Sequence, residues 1–348
     1  MEGLQTVNRC DLGLRPFRDF TYPRLCGDLS AGGTWERRVD TFRVEEIPLY
    51  PFVGEGEHAV LWVEKRGRTT RDVAVGVARR LGLRPRDVGY AGMKDKACVA
   101  LQGFTVCGAG PQAAREAFEA EGCRVLRATR HRNKLRLGHL AGNRFRVFLE
   151  GADPAAAEQV LERLAAAGAP NYYGPQRFGV RGDNAAAGLA VLRGELRTGR
   201  WKRNLMVSAL QAFVFNEVLA RRVEAAALAA ALAGDVLRRE DSGGLFVCAD
   251  PDEDSRRVER FEVSPTGPMP GRKMVRPRAA VAEAEAAVLR DLGLGEDLFR
   301  PETGTRRPLR VPVQGWRVEA QASGVWVEFA CPPGAFATSV VREITGRD

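Results

Sequence analysis

The sequence predicts an α+β fold built in two parts. Three observations predict it. Short stretches that alternate apolar and polar residues recur before position 150, and segments with four-residue apolar spacing lie between them. Near position 170 the composition changes, and the chain stays Ala-rich until strand-like alternation returns near its end.

The elements follow in order. TFRVEEIPLY (41–50) alternates Phe42, Val44 and then Glu46, as a half-exposed strand does, and EHAVLWVEKRG (57–67) alternates likewise up to Gly67. In TTRDVAVGVARRLGLRP (69–85) Val73, Val77 and Leu81 lie four apart. Thr70 is the candidate N-cap of that helix, Gly82 its stop, and Gly76 a weak point inside it. DVGYAG (87–92) and ACVALQGFTV (97–106) read as strands around a lysine–aspartate turn. PQAAREAFEAEG (111–122) reads as a helix, and 123–151 as two strand pieces joined by a basic segment. PAAAEQVLERLAAAG (154–168) is a third helix with Pro154 in its first turn.

APNYYGPQRFGVRGDN (169–184), rich in Gly, Pro and Asn, reads as an extended turn region. Helices are expected over 184–194 and 208–234, the second burying Leu210, Phe213, Val214 and Val218. Residues 243–277 read as loop and short strand, and 280–293 as a charged helix. The tail, 306–348, holds two alternating strands, a Pro-Pro-Gly turn and a helix beginning near Phe336. A strand-rich tail after a helical middle suggests that it returns to the first sheet, which makes the middle an insertion. The expected domains are 1–168 with 306–348, and 169–305.

At 348 residues the chain suits two domains. Its net charge of +9 fits a polyanionic partner, although an Arg-rich composition alone also raises it. The start has no apolar core of signal-peptide length, and no run is long and apolar enough to span a membrane. The seven cysteines form no CxxC pair, and His58, His131 and His139 lack metal spacing. This points to a reducing compartment, taken as the cytoplasm, and to no metal. No nucleotide-binding glycine motif is present, so no cofactor is expected. Without an obvious coiled coil, a monomer is expected.

GYAGMKDKACVALQ (89–102) sets Asp95 between Lys94 and Lys96. Aspartate is common in turns for conformational reasons alone. Here Gly92 permits close approach, and the neighbouring ammonium groups favour a charged carboxylate fit to act as nucleophile or base. In RHRNKLRLGHLAGNRF (130–145), Arg130, Arg132, Lys134 and Arg136 can grip a nucleic-acid backbone, while Asn143 and Phe145 can bond to a base and stack on it. Taken singly, Phe42, Phe145 and Phe336 read as core, and Glu46 as a partner for a lysine.

YAGMKDKACVALQ resembles the signature of the TruD family of pseudouridine synthases, which modify tRNA. TFRVEEIP, RHRNKLRLGHLAGNRF, NYYGPQRFG, LQAFVFNEVLARR, SPTGPMPG and PPGAFATSVVREI are similar to further family blocks, in family order, from about 40 to 344. The resemblance implies a pseudouridine-synthase catalytic domain with a mixed antiparallel sheet, interrupted by a family-specific α/β insertion. It implies Asp95 as the catalytic residue and Phe42, Asn143, Phe145 and Phe336 as substrate contacts. Lys94, Lys96 and residues 130–136 are then candidates for the RNA backbone. The implied reaction isomerises uridine, at position 13 in the D arm of tRNA, without metal or cofactor. The competing reading is a non-catalytic RNA-binding or tRNA-chaperone protein on the same fold, and a DNA-binding module has no recognisable motif here.

Overall fold

The structure, a computed structural model, describes residues 21–347, so Cys10 lies outside the described residues. From Thr41 the chain forms β1 (Phe42–Pro48), β2 (His58–Arg66), α1 (Thr70–Arg80), β3 (Val88–Tyr90), β4 (Val99–Val106), α2 (Pro111–Ala120), β5 (Arg124–His131), β6 (Leu140–Glu150) and α3 (Pro154–Ala167). The cap of α1 is Thr69, one residue before the expected Thr70. Thr69 Oγ1 accepts from Asp72 N at 3.1 Å while the Asp72 carboxylate accepts from Thr69 N at 3.3 Å, a reciprocal box that satisfies two otherwise orphaned donors. Gly76 also has a physical reason. A Cβ there would lie 2.2 Å from the Glu121 carboxylate, which is packed against the helix and held by Arg68 and Arg80.

The chain continues through β7 (Ala169–Pro170), α4 (Pro175–Phe178), α5 (Asn184–Leu192), α6 (Arg200–Glu224), β8 (Val236–Arg239), β9 (Leu245–Val247), α7 (Pro251–Glu259), β10 (Val263–Met269), α8 (Ala279–Asp291), β11 (Thr305–Pro308), β12 (Arg310–Val311), β13 (Gln314–Gln321), β14 (Gly324–Cys331) and α9 (Ala337–Thr345). Two expectations change here. The helix expected over 208–234 runs from Arg200 to Glu224, and the alanine run after it is not helical. The buried Arg222 draws that run around itself, donating to the Ala227 and Ala230 carbonyls, each at 2.8 Å, and pairing with Asp235 at 2.5 Å. The stretch read as loop and short strand, 243–277, contains α7 and the fully buried β10. Asp250 caps α7 by accepting from the Asp252 and Glu253 amides, and Pro251 opens the helix.

Two compact units divide the chain. Ser30–Glu162 with Val313–Ala337 holds a mixed sheet in the order β13-β14-β6-β1-β4-β2-β5, with β3 also on β4. Every pairing in it is antiparallel except β1 with β4. Strand alternation sets Phe42, Val44 and Glu46 of β1, Asn143 and Phe145 of β6, Phe329 and Cys331 of β14, and Lys65, Ala100 and Gln102 of β2 and β4 on one face. On that face α1 and α2 cover the β2–β4 half, burying Val73, Val77 and Phe118 against Leu61, Val63 and Phe104.

The second unit is Arg163–Pro312 with the tail from Thr338 and residues 21–29. It has a four-stranded sheet, β11-β10-β8-β9, and a core around Phe213, Phe215, Leu219, Tyr172 and Tyr173. In α9, Glu343 accepts from the amides of Leu25 at 3.2 Å and Cys26 at 3.1 Å. Among the described residues no helix is long and apolar enough to cross a membrane.

Candidate active site

One edge of β4 is shared. β1 pairs along Val99–Leu101 and β3 along Phe104–Val106, which leaves Gln102 and Gly103 between them without a strand partner on that edge. Side chains fill the break. Glu46 Oε1 accepts from Gly103 N at 3.3 Å, and Gln102 Nε2 donates to the Gly92 carbonyl at 3.1 Å. The connection from β3 to β4, residues 91–98, carries Asp95 and lies over this break.

The loop is held by its backbone on both sides of Asp95. Thr70 Oγ1 accepts from Lys94 N at 2.8 Å and donates to Gln102 Oε1 at 2.7 Å, while Thr70 N donates to the Lys94 carbonyl at 3.3 Å. The Lys65 ammonium donates to the carbonyls of Asp95 at 2.9 Å and Arg68 at 2.5 Å. Lys65 is wholly buried, and that burial lowers its pKa. Cys98 Sγ also donates to the Asp95 carbonyl.

Lys94 points inward. Its ammonium donates to Glu46 Oε2 at 3.2 Å and to Asn143 Oδ1 at 2.6 Å. Gly92 makes room for it, because a Cβ there would lie 2.7 Å from the Lys94 nitrogen. Burial raises the Glu46 carboxyl above its ordinary range, against the pull of Lys94 and of the Gly103 and Gly92 amides. Three stretches far apart in sequence, at 46, 94 and 143, thus meet in one buried network.

Asp95 itself turns outward, with 63% of its side chain exposed, and pairs with Arg37. The Arg37 guanidinium lies 5.6 Å from the Phe42 ring centroid and 5.8 Å from that of Trp35. Phe42 and Phe145 are near-parallel at 11°, with centroids 6.3 Å apart, and both are largely buried among Trp35 and Phe329. Phe336, just before α9, is 38% exposed. The site therefore brings together Asp95, Lys94, Asn143, Phe42 and Phe145.

The basic segment is spread along the sheet. Arg130 reaches the Gly56 carbonyl and Arg132 pairs with Glu55, at one end. Lys134 donates to the Arg86 carbonyl, and Gly138 N donates to the Ala91 carbonyl at 2.9 Å, which brings the end that holds exposed Arg136 beside the Asp95 loop. Lys96 is exposed on that loop. Among the described residues no group of three or more His, Cys, Asp or Glu is arranged to hold a metal.

Arg37 and Lys65 are missing from the sequence-derived site. Lys65 left a signal, since it continues the inward series Leu61, Val63 of β2, where a charge demands a partner. Arg37 left none beyond its place five residues before Phe42.

The family model and the relatives define the class, and the fold agrees with them. The crystal structure of a protein from Methanosarcina mazei has the same fold, with a TM-score of 0.76 over 97% of each chain, at 21% identity. The family model described as tRNA pseudouridine synthase D (TruD) matches residues 25–202 and 201–344. The chain is 44% identical over 339 residues to tRNA pseudouridine synthase D of Anaeromyxobacter dehalogenans (strain 2CP-C), covering 94% of this chain and 97% of that one. It is 39% identical over 342 residues to a protein of the same name from Thermus thermophilus, covering 96% and 94%. This chain belongs to the TruD family.

Proposed function

We propose that this protein is a tRNA pseudouridine synthase that isomerises uridine at position 13 in the D arm, with Asp95 as its catalytic carboxylate. One observation carries the reading: an exposed aspartate stands on a loop whose backbone is pinned on both sides, beside Asn143 and the Phe42–Phe145 pair. A rigid loop holding a reactive group at a fixed place is what positioning catalysis requires.

In the reaction the N1–C1′ bond of uridine breaks, the base turns, C5 bonds to C1′, and the proton on C5 leaves as N1 gains one. Asp95 acts by attack at C6 of the base or at the sugar, as nucleophile or as base at C2′. Arg37 faces the carboxylate and offsets its charge. The target nucleotide leaves its stack to reach the site, as for other base-modifying enzymes. Asn143 bonds to the uracil, and Phe42, Phe145 and Phe336 bound it. Lys96, Arg130, Arg132, Lys134 and Arg136 meet the RNA backbone, while Lys94 takes a positioning part instead, because its ammonium is engaged inside. Residues 1–168 and 306–348 supply catalysis and 169–305 the family's insertion. The enzyme works as a monomer in the cytoplasm, and six free cysteines among the described residues support a reducing compartment.

Unmodified tRNA transcripts incubated with wild type and with Asp95→Asn test this. Carbodiimide labelling and primer extension locate the product. A wild-type stop at the D-arm uridine, absent with the variant while tRNA binding stays within a few-fold, is expected. Binding without product on any transcript would favour an RNA-binding or chaperone protein.

A further inference from the structure

The Lys94–Asn143 contact fixes more than a position. An ammonium group has three donors and no acceptor, so the atom of the Asn143 amide that faces it must be the oxygen. The Lys94 nitrogen is itself held from the other side by Glu46, and a side chain at position 92 would leave it no room. The amide is thereby locked one way round. Its Nδ2 has no hydrogen-bond partner among the described residues and is not among their buried unpaired atoms, so it keeps some accessible surface on a half-buried residue. Asn143 shares its sheet face with Phe145, two residues on, and with Phe42 of β1. The outward group beside the two rings is therefore a donor only.

A donor-only group selects uracil over cytosine where it meets position 4 of the ring; at N3 the order is reversed, uracil carrying an N–H and cytosine a lone pair. Uracil carries a carbonyl oxygen at C4, an acceptor, where cytosine carries an amino group, a donor; at C2 the two are alike. From this geometry we infer that Lys94 is a specificity-determining positioning residue: by holding Asn143 with Nδ2 outward, it makes the site take a pyrimidine with an acceptor at C4 and refuse one with a donor there. The inference rests on the reading of the site as one that receives a uridine of RNA. It gives the buried lysine of the motif a role that neither the charge of RNA nor the chemistry of Asp95 requires.

The test uses full-length protein and two forms of one tRNA transcript, with uridine or cytidine at the position where wild type forms pseudouridine. Binding is measured in an Asp95→Asn background, so that no turnover intervenes. That protein is expected to hold the uridine form about tenfold more tightly, the order expected when a donor meets a donor in place of an acceptor. Adding Lys94→Met frees the amide to turn and brings the ratio to about one. Adding Asn143→Asp instead leaves one carboxylate oxygen on Lys94 and presents the other outward, so the preference shifts to the cytidine form. If Lys94→Met alone unfolds the chain through its orphaned Glu46, Lys94→Met with Glu46→Gln removes both charges and carries the same expectation. An unchanged ratio in a folded Lys94 variant, or a kept uridine preference in Asn143→Asp, overturns the inference while wild-type product formation upholds the reading of the site. Absence of pseudouridine with wild type on every transcript overturns both.

Discussion

The ammonium of Lys65, a residue with no exposed surface, donates 2.9 Å to the main-chain carbonyl of Asp95. A buried lysine held by two carbonyls is a costly fixture, and on the proposed role of Asp95 its position under that residue gives the cost a purpose.

Lys65→Met keeps the volume and removes the buried charge, so the protein should stay folded, with a melting temperature at or near that of wild type. The loop loses an anchor, and turnover should fall on the order of 10- to 100-fold, the effect of misplacing a catalytic group by about 1 Å. Single-turnover rates with saturating tRNA check this. An unchanged rate would reduce Lys65 to a structural lysine.

Phe145 should show two separable effects. Its ring packs against Phe42 at 6.3 Å and Phe329 at 5.5 Å, so Phe145→Ala should cost about 3–5 kcal/mol in denaturant unfolding. Phe145→Leu retains apolar bulk and should cost less than about 1.5 kcal/mol, yet it removes the aromatic face and should lower turnover more than stability.

His131 gives a pH dependence. It is buried against Tyr50 and Phe52, neither ring nitrogen has a partner among the described residues, and burial, with His58 and Arg132 adding, holds it below its ordinary 6.5. The unfolded chain therefore takes up this proton first on acidification. The stability tied to neutral His131 is fully present above the unfolded pKa and is lost as pH falls from there through the folded pKa. Melting temperatures between about pH 8 and pH 5 should decline for wild type and decline less for His131→Phe.

Salt dependence should report on the basic face. Each backbone phosphate contact adds close to 0.9 to the slope of log affinity against log salt on a duplex. Lys96→Gln with Arg136→Gln should lower that slope by about 2 for tRNA binding, as measured by filter retention, and leave the melting temperature unchanged, since both side chains are exposed.

The strands and the first three helices are legible because their periods are clean: Phe42, Val44 and Glu46 announce a face of period two, and Val73 and Val77 a face of period four. Glu46 is also legible as a partner for a lysine, and Lys94 is that partner. The inward turn of Lys94 is not legible. It depends on the break along β4 and on Asn143 of β6, and nothing local at 94 announces either. The alanine run after α6 misleads for the same reason. Its composition favours helix, and a buried Arg222–Asp235 pair overrides it. The helix at 251 has its own signals in Asp250, Pro251 and the acids that follow, and the surrounding glycines and prolines obscure them.

The pairing of Asn143 with Cys331 has a consequence for synthesis. β6 lies between β1 and β14, and β14 emerges from the ribosome only after the whole second unit except its tail has been made. Until then β6 is an open edge, and Phe145 lacks Phe329 beside it. Such distant pairing is slow to form, and the nascent chain must wait with that edge exposed. A protein truncated before β14 should accordingly be prone to aggregation, and the site should come into being only as the last strands are released.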